Sequence, residues 1–142
     1  MLPHVLRLFV EQPGPVTRDA LARAVPAMAP ARLDRELARL DAEDHLLLED
    51  GAVVLAYPFA AHPNAFAVRL ADGGERYACC AIDALGIAAM LRQRIDVRSR
   101  CHHSGEPLAF AVDPEGPEPT GRGLMVWVGE RDPAARRICT TL

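Results

Sequence analysis

The sequence predicts an α+β fold, in which three helices and a β-hairpin precede a small domain of mixed or antiparallel strands around one buried helix. Three observations support this prediction. Residues 3–43 contain three segments with apolar residues at helical spacing. Asp50-Gly51 lies between two apolar runs, which is a strong hairpin signal. Residues 77–92 form an apolar helical segment flanked by shorter segments that alternate like strands.

The N-terminal part, residues 1–60, has the element order of a winged helix. Thr17 is a favourable N-cap for the second helix. Winged helices often bind DNA, but residues 1–56 carry six arginines and nine acidic residues. Binding to phosphates requires positive charge, so we expect a structural or substrate-covering module and no nucleic-acid partner. The three predicted helices cover residues 3–11, 18–25 and 31–43.

The second part, residues 61–142, follows a connector that is punctuated by prolines at residues 57–64. Residues 113–123 are rich in proline and glycine and are predicted to form a loop. Four strands are predicted in this part: residues 66–70 and 95–100, which alternate in polarity, and residues 108–112 and 124–128.

Composition and charge restrict the class of protein. The net charge is −3, which argues against a chain that coats nucleic acid or an anionic membrane. No secretory signal and no membrane-spanning run of about 18 apolar residues is seen, so we expect a cytoplasmic protein without a membrane partner. In a reducing compartment the four cysteines are expected to act as thiols, in metal binding or catalysis. They are Cys79, Cys80, Cys101 and Cys139.

Three polar groups interrupt the predicted central helix of residues 77–92. Cys79 and Cys80 lie at its start, and helical spacing places Asp83 on the same face as both. A thiol in the first turn of a helix is where the dipole favours thiolate, and a neighbouring carboxyl group can carry its proton. The alternative is an inert buried cysteine beside an aspartate that only caps the helix.

The resemblance to a known family rests on several segments in a fixed order. They are Tyr77-Ala78-x-Cys80-Ala81-x-Asp83-x-Leu85, Val97-x-Ser99-x-Cys101, Ser104-Gly105-Glu106-Pro107, Val126-Trp127-Val128-Gly129 and the late Cys139. This pattern resembles the organomercurial (alkylmercury) lyases, whose catalytic part also follows a winged-helix module. The family's chain continues well past its second thiol, whereas this sequence stops at Leu142, so the resemblance is to a short member without the C-terminal extension.

The resemblance implies that Cys80, Asp83 and Cys139 are catalytic and that Cys80 and Cys139 bind mercury. Cys101 matches a structural cysteine, and Cys79 has no catalytic counterpart. The implied reaction is protonolysis of a carbon–mercury bond in a small organometal substrate. Mercury is then substrate and product, no cofactor is needed, and external thiols support turnover.

Alternatives remain open at this point. The first is a non-catalytic thiol protein that binds a soft metal as a sensor, chaperone or accessory. The second is a winged-helix regulator, which the acidic N-terminal half disfavours. The sequence also leaves open a homodimer in which a second subunit closes the site. Cys101-His102-His103 lacks a second ligand pair at zinc spacing, so no resident metal is expected.

Overall fold

The computed structural model describes residues 1–121 and 123–126 and has an α+β fold. Within these residues there are four α-helices: α1 (Leu2–Glu11), α2 (Arg18–Ala24), α3 (Pro30–Ala42) and α4 (Ala81–Leu91). The strands are β1 (Val16–Thr17), β2 (Leu46–Glu49), β3 (Ala52–Ala56), β4 (Phe59–Ala60), β5 (Ala67–Arg69), β6 (Glu75–Ala78), β7 (Ile95–Arg100), β8 (Pro107–Asp113) and β9 (Gly116–Pro117). A short 3₁₀ turn follows at Pro119–Gly121.

These nine strands form one sheet, and all their pairings are antiparallel. Its order is β1-β3-β4-β6-β5-β7-β8-β9, and β2 pairs with β3 outside this path. The two-residue strand β4 pairs with β3 on one side and with β6 on the other. The sheet therefore crosses residue 60 without interruption. The division of the chain into two domains at that residue stays a prediction.

Local signals explain the N-terminal elements, which lie within one or two residues of the predicted ranges. The Thr17 hydroxyl accepts a hydrogen bond from the Ala20 amide at 3.2 Å and caps α2. The β2–β3 turn has positive φ at Asp50 (49°) and Gly51 (77°), as tight hairpin turns require. Helix α3 buries Leu33 and two further leucines at helical spacing, which fixes the face that it turns to the core.

One hydrophobic core extends from α1 to α4. Near its middle, the rings of Phe9 in α1 and Phe59 in β4 are stacked, with centroids 6.1 Å apart and planes inclined by 14°. Both side chains are essentially inaccessible to solvent. The N-terminal helices and the strands that lead to α4 thus share buried contacts.

The central helix is shorter than the predicted range of residues 77–92. It begins at Ala81, because Tyr77 and Ala78 belong to β6 and pair with both β4 and β5. The predicted range has the composition of a helix, but backbone pairing with β4 and β5 makes residues 77 and 78 part of a strand. This pairing cannot be inferred from the local sequence.

The central helix was predicted to be buried, but in the described structure one of its sides is exposed. Helix α4 buries Ala84, Ile87 and Ala88, whereas Ile82 is 59% exposed and Met90 is 42% exposed. Only one side of the helix packs on the sheet, against strands β6 to β9.

The strand predicted at residues 124–128 is not present in residues 124–126, which the structure describes. Residues 127 and 128 lie outside the described residues. Strands β1, β4 and β9 were not predicted, because each has only two residues and its pairing partners are distant in sequence. None of the described helices combines the length and apolar character needed to span a membrane.

Candidate functional site

The candidate site lies where strand β6 ends and helix α4 begins. Cys80 is the N-cap residue of α4 and has an extended backbone conformation, with φ −151° and ψ 179°. Its sulfur accepts a hydrogen bond from the Asp83 amide at 3.4 Å, and its carbonyl accepts one from the Ala84 amide at 3.0 Å. Cysteine here occupies the position in which a serine or threonine commonly caps a helix.

The side chains of Cys80 and Asp83 also contact each other. The Cys80 thiol donates a hydrogen bond to Asp83 Oδ2, with a sulfur–oxygen distance of 3.0 Å. Asp83 is the third helical residue, the position of the acidic residue in a capping box. The predicted spacing of three residues thus brings a thiol and a carboxyl group into direct contact, and both are half-buried.

The charge state of Cys80 differs from the sequence-based expectation. Burial raises the pKa of the Cys80 thiol, and the hydrogen bond to the Asp83 carboxylate raises it further. Hydrogen bonds from backbone amides lower it by less. The expectation that the helix dipole favours the thiolate is therefore wrong, because desolvation and the adjacent carboxylate outweigh the backbone.

Cys79 does not share a face with Asp83, although helical spacing predicted that it would. Cys79 precedes the helix, and its thiol donates a hydrogen bond to the Phe59 carbonyl at 3.2 Å. Its amide donates to the Pro58 carbonyl at 3.0 Å. Cys79 thus contacts Pro58 and Phe59, at the turn between β3 and β4 and at the start of β4.

Cys101 lies in the turn between β7 and β8 and shows the opposite pKa shift. Hydrogen bonds from the Ser104 hydroxyl, the Ser104 amide and the His103 amide lower the pKa of the Cys101 thiol. The turn is closed by a hydrogen bond from the Gly105 amide to the Cys101 carbonyl at 2.8 Å. Within the part of the chain that the structure describes, no group of three or more His, Cys, Asp or Glu side chains is arranged to hold a metal ion.

Cys139, the predicted second catalytic thiol, lies outside the described residues, as does Trp127. The approach of Cys139 to Cys80 therefore stays a prediction.

Arg76 in strand β6 was missed as a residue of interest. Among the described residues, Arg76 is the one charged residue that is buried, with 7% of its surface exposed. Reading residues 75–78 as a strand would have revealed it, because period-two alternation places Arg76 on the same buried face as Ala78. On the opposite face of β6, Glu75 accepts a hydrogen bond from the Tyr77 hydroxyl at 2.8 Å and forms an ion pair with Arg98.

The fold and this junction define a class of protein: an α+β protein with a thiol–carboxyl pair at the N-terminus of a helix that packs on an antiparallel sheet. The family model of the alkylmercury lyases (MerB) matches residues 59–142, which is more than half of the chain. The chain therefore belongs to the alkylmercury lyase family.

Two relatives carry the same description. Alkylmercury lyases from Bacillus cereus and Clostridium butyricum are each 37% identical to this chain over 68 residues, which cover 47% of this chain and 30% of the relative. The match thus spans less than a third of each relative.

A solved structure, the mercury-bound form of MerB2, has a similar fold. The two chains superpose with a TM-score of 0.68 at 22% sequence identity. The superposition covers 82% of this chain and 57% of the MerB2 chain.

Proposed function

We propose that this protein is an organomercurial lyase that cleaves a carbon–mercury bond by protonolysis, with Cys80 and Cys139 as thiols and Asp83 as proton carrier. The observation that carries the proposal is the 3.0 Å contact between the Cys80 thiol and Asp83 Oδ2. Family membership and the two alkylmercury lyase relatives support the same reaction.

The first step of the proposed reaction binds the substrate at Cys80. Mercury(II) is a soft ion for which thiolates are the preferred ligands. As the sulfur of Cys80 bonds to mercury, the exchangeable ligand X of R–Hg–X leaves as the anion, and the thiol proton passes to the carboxylate of Asp83, which already accepts that hydrogen bond. Metal binding displaces the thiol proton, because a thiol must lose its proton to become a ligand.

The second step breaks the carbon–mercury bond. The thiolate of Cys139 adds to mercury and increases the electron density on carbon. The bond breaks with both electrons on carbon, which takes the proton from Asp83 and leaves as R–H. Mercury remains divalent and bound to the two thiolates, Asp83 is again a carboxylate, and no electron donor is required. External thiols then remove Hg(II), which is product rather than cofactor.

The N-terminal part has a supporting role in this proposal. We propose that residues 1–60 form a winged-helix module and residues 61–142 the catalytic domain, in a cytoplasmic protein. Helix α3, which would be the recognition helix, is rich in acidic residues, and Asp34 forms an ion pair with Arg18 at 2.7 Å. An acidic surface repels DNA phosphates, so we assign the module to structure and not to nucleic-acid binding.

The experiment that tests the proposal measures benzene released from a phenylmercury salt in the presence of excess thiol. Cys80→Ala is expected to abolish release. Asp83→Asn, which conserves shape, should slow it by about 10²–10⁴-fold, the usual contribution of a positioned acid or base. Cys139→Ala should also abolish release. Cys101→Ser is the matched control, because it removes a thiol that lies outside the proposed site, and it should retain release.

A parallel titration with Hg(II) separates the proposal from a non-catalytic metal-binding function. A protein that binds Hg(II) through Cys80 but releases no benzene would be a soft-metal binder and not a lyase. Release that persists in both Cys80→Ala and Asp83→Asn would also refute the proposal.

A further inference from the structure

The guanidinium group of Arg76 joins strand β6 to the C-terminal end of helix α1. Arg76 Nε donates to the Phe9 carbonyl at 2.7 Å, and Nη2 donates to the Val10 carbonyl at 2.5 Å. Nη1 donates to the Glu75 carbonyl at 2.8 Å. Arg76 is buried, and within the described residues its guanidinium group donates its hydrogen bonds to backbone carbonyls.

The two carbonyls of α1 need a partner from outside the helix. Phe9 and Val10 are among the last residues of α1, whose final four carbonyls have no amide further along the helix to accept from. A cation at this end also complements the negative end of the helix dipole. The planar fork of arginine can reach both carbonyls at once, which a lysine ammonium cannot reproduce with the same geometry.

Strand β6 connects Arg76 to the candidate site within four residues. Downstream of Arg76, the Asn64 side chain donates to the Ala78 carbonyl at 2.9 Å, and the Cys79 amide donates to the Pro58 carbonyl at 3.0 Å. Cys80 follows as the N-cap of α4. Because β6 leads directly into this N-cap, a displacement of β6 would act on the backbone of Cys80, whereas Asp83 is held within α4.

A second contact joins the same two parts of the molecule. The ring of Phe9 stacks on Phe59, and the Phe59 carbonyl accepts the hydrogen bond of the Cys79 thiol. The last turn of α1 thus contacts the segment before Cys80 in two ways, once through Arg76 and once through Phe59.

We propose that Arg76 is a positioning residue, which ties the end of α1 to β6 and thereby holds Cys80 against Asp83. Its importance for carbon–mercury cleavage rests on the proposed function. The geometric claim does not, because it concerns the thiol itself and can be measured without an organomercurial.

The test compares Arg76→Met, which keeps an apolar stem and removes the donors, with Arg76→Lys in the full chain. The first readout is the rate of alkylation of Cys80 by iodoacetamide at one pH, divided by the rate for Cys101 and resolved by fragment-ion mass spectrometry. The second is hydrogen exchange of the amides in residues 79–84. Leu37→Ala is the matched control, because it destabilises the core from α3, whose main packing is against β2 and not β6.

Arg76→Met is expected to raise the Cys80-to-Cys101 ratio by about threefold or more and to accelerate exchange in residues 79–84, because local opening exposes this segment without global unfolding. Arg76→Lys should give a smaller rise in both. Leu37→Ala should leave the ratio unchanged, since global destabilisation affects both thiols.

Wild-type values in Arg76→Met, or an equal rise in Leu37→Ala, would overturn the proposal. Should Arg76→Met not fold, a wild-type ratio in Arg76→Lys would overturn it in the same way. An inactive wild-type protein in the benzene assay would refute the lyase and leave this result standing.

Discussion

Replacing Phe59 with alanine should lower the free energy of unfolding by about 3–5 kcal/mol, the usual range for removing a fully buried phenylalanine. Phe59 has no exposed surface, and its ring stacks on Phe9 with a centroid separation of 6.1 Å. About 0.5–1.5 kcal/mol of the loss belongs to the aromatic pair, and the remainder to transfer of the ring and to the cavity.

Urea denaturation followed by circular dichroism measures this loss. With a slope of about 2 kcal/mol per molar urea, typical of small proteins, the midpoint should fall by about 2 M. Phe110→Ala is the matched control at a half-buried site in β8, and its midpoint should fall by clearly less.

A double-mutant cycle isolates the contact between the two rings. Phe9→Leu and Phe59→Leu retain apolar volume, and their combined loss should differ from the sum of the single losses by about 0.5–1.5 kcal/mol. Exact additivity, or a loss below about 1 kcal/mol in Phe59→Ala, would refute the view that α1 and β4 share one tightly packed core.

Three further predictions concern two thiols and one helix cap. Alkylation of Cys80, followed by mass spectrometry across pH, should have a midpoint above that of an ordinary thiol, since burial and the carboxylate raise its pKa, and Asp83→Asn should move it down. Cys101 should have a lower midpoint than an ordinary thiol, and Ser104→Ala should raise it, because the hydroxyl group stabilises the thiolate. A Cys80 midpoint below that of Cys101 would contradict at least one of these two assignments. Thr17→Ala should lose about 1 kcal/mol of unfolding free energy in urea, and an unchanged midpoint would show that the cap contributes nothing.

Local sequence signals predicted the N-terminal elements well. Thr17 caps a helix, Asp50-Gly51 forms a turn, and the leucines of α3 face the core, because each feature depends on residues a few positions away. Tyr77 and Ala78 were assigned to the wrong element, because their strand exists through pairing with β4 and β5. Such pairing brings together residues that are far apart in sequence and leaves little local trace.

The candidate site was predictable in composition but not in electrostatics. Spacing alone placed Asp83 within reach of Cys80, and the structure has that contact. The sign of the pKa shift of Cys80 was wrong, because a helix dipole is a generic property, whereas desolvation and the direction of a hydrogen bond depend on the folded surroundings. Arg76 escaped notice for the same reason, since its partners are carbonyls more than sixty positions earlier in the chain.

The two-residue strand β4 limits where this chain can be divided. Phe59 and Ala60 pair with the end of β3 and with Tyr77 and Ala78, so they cover the part of the β6 edge that lies nearest to Cys80. A fragment that starts after Ala60 would leave this edge of β6 unpaired next to Cys80. Unpaired strand edges can pair with other chains. Such an excised piece is expected to self-associate, so fusion junctions are better placed before residue 57.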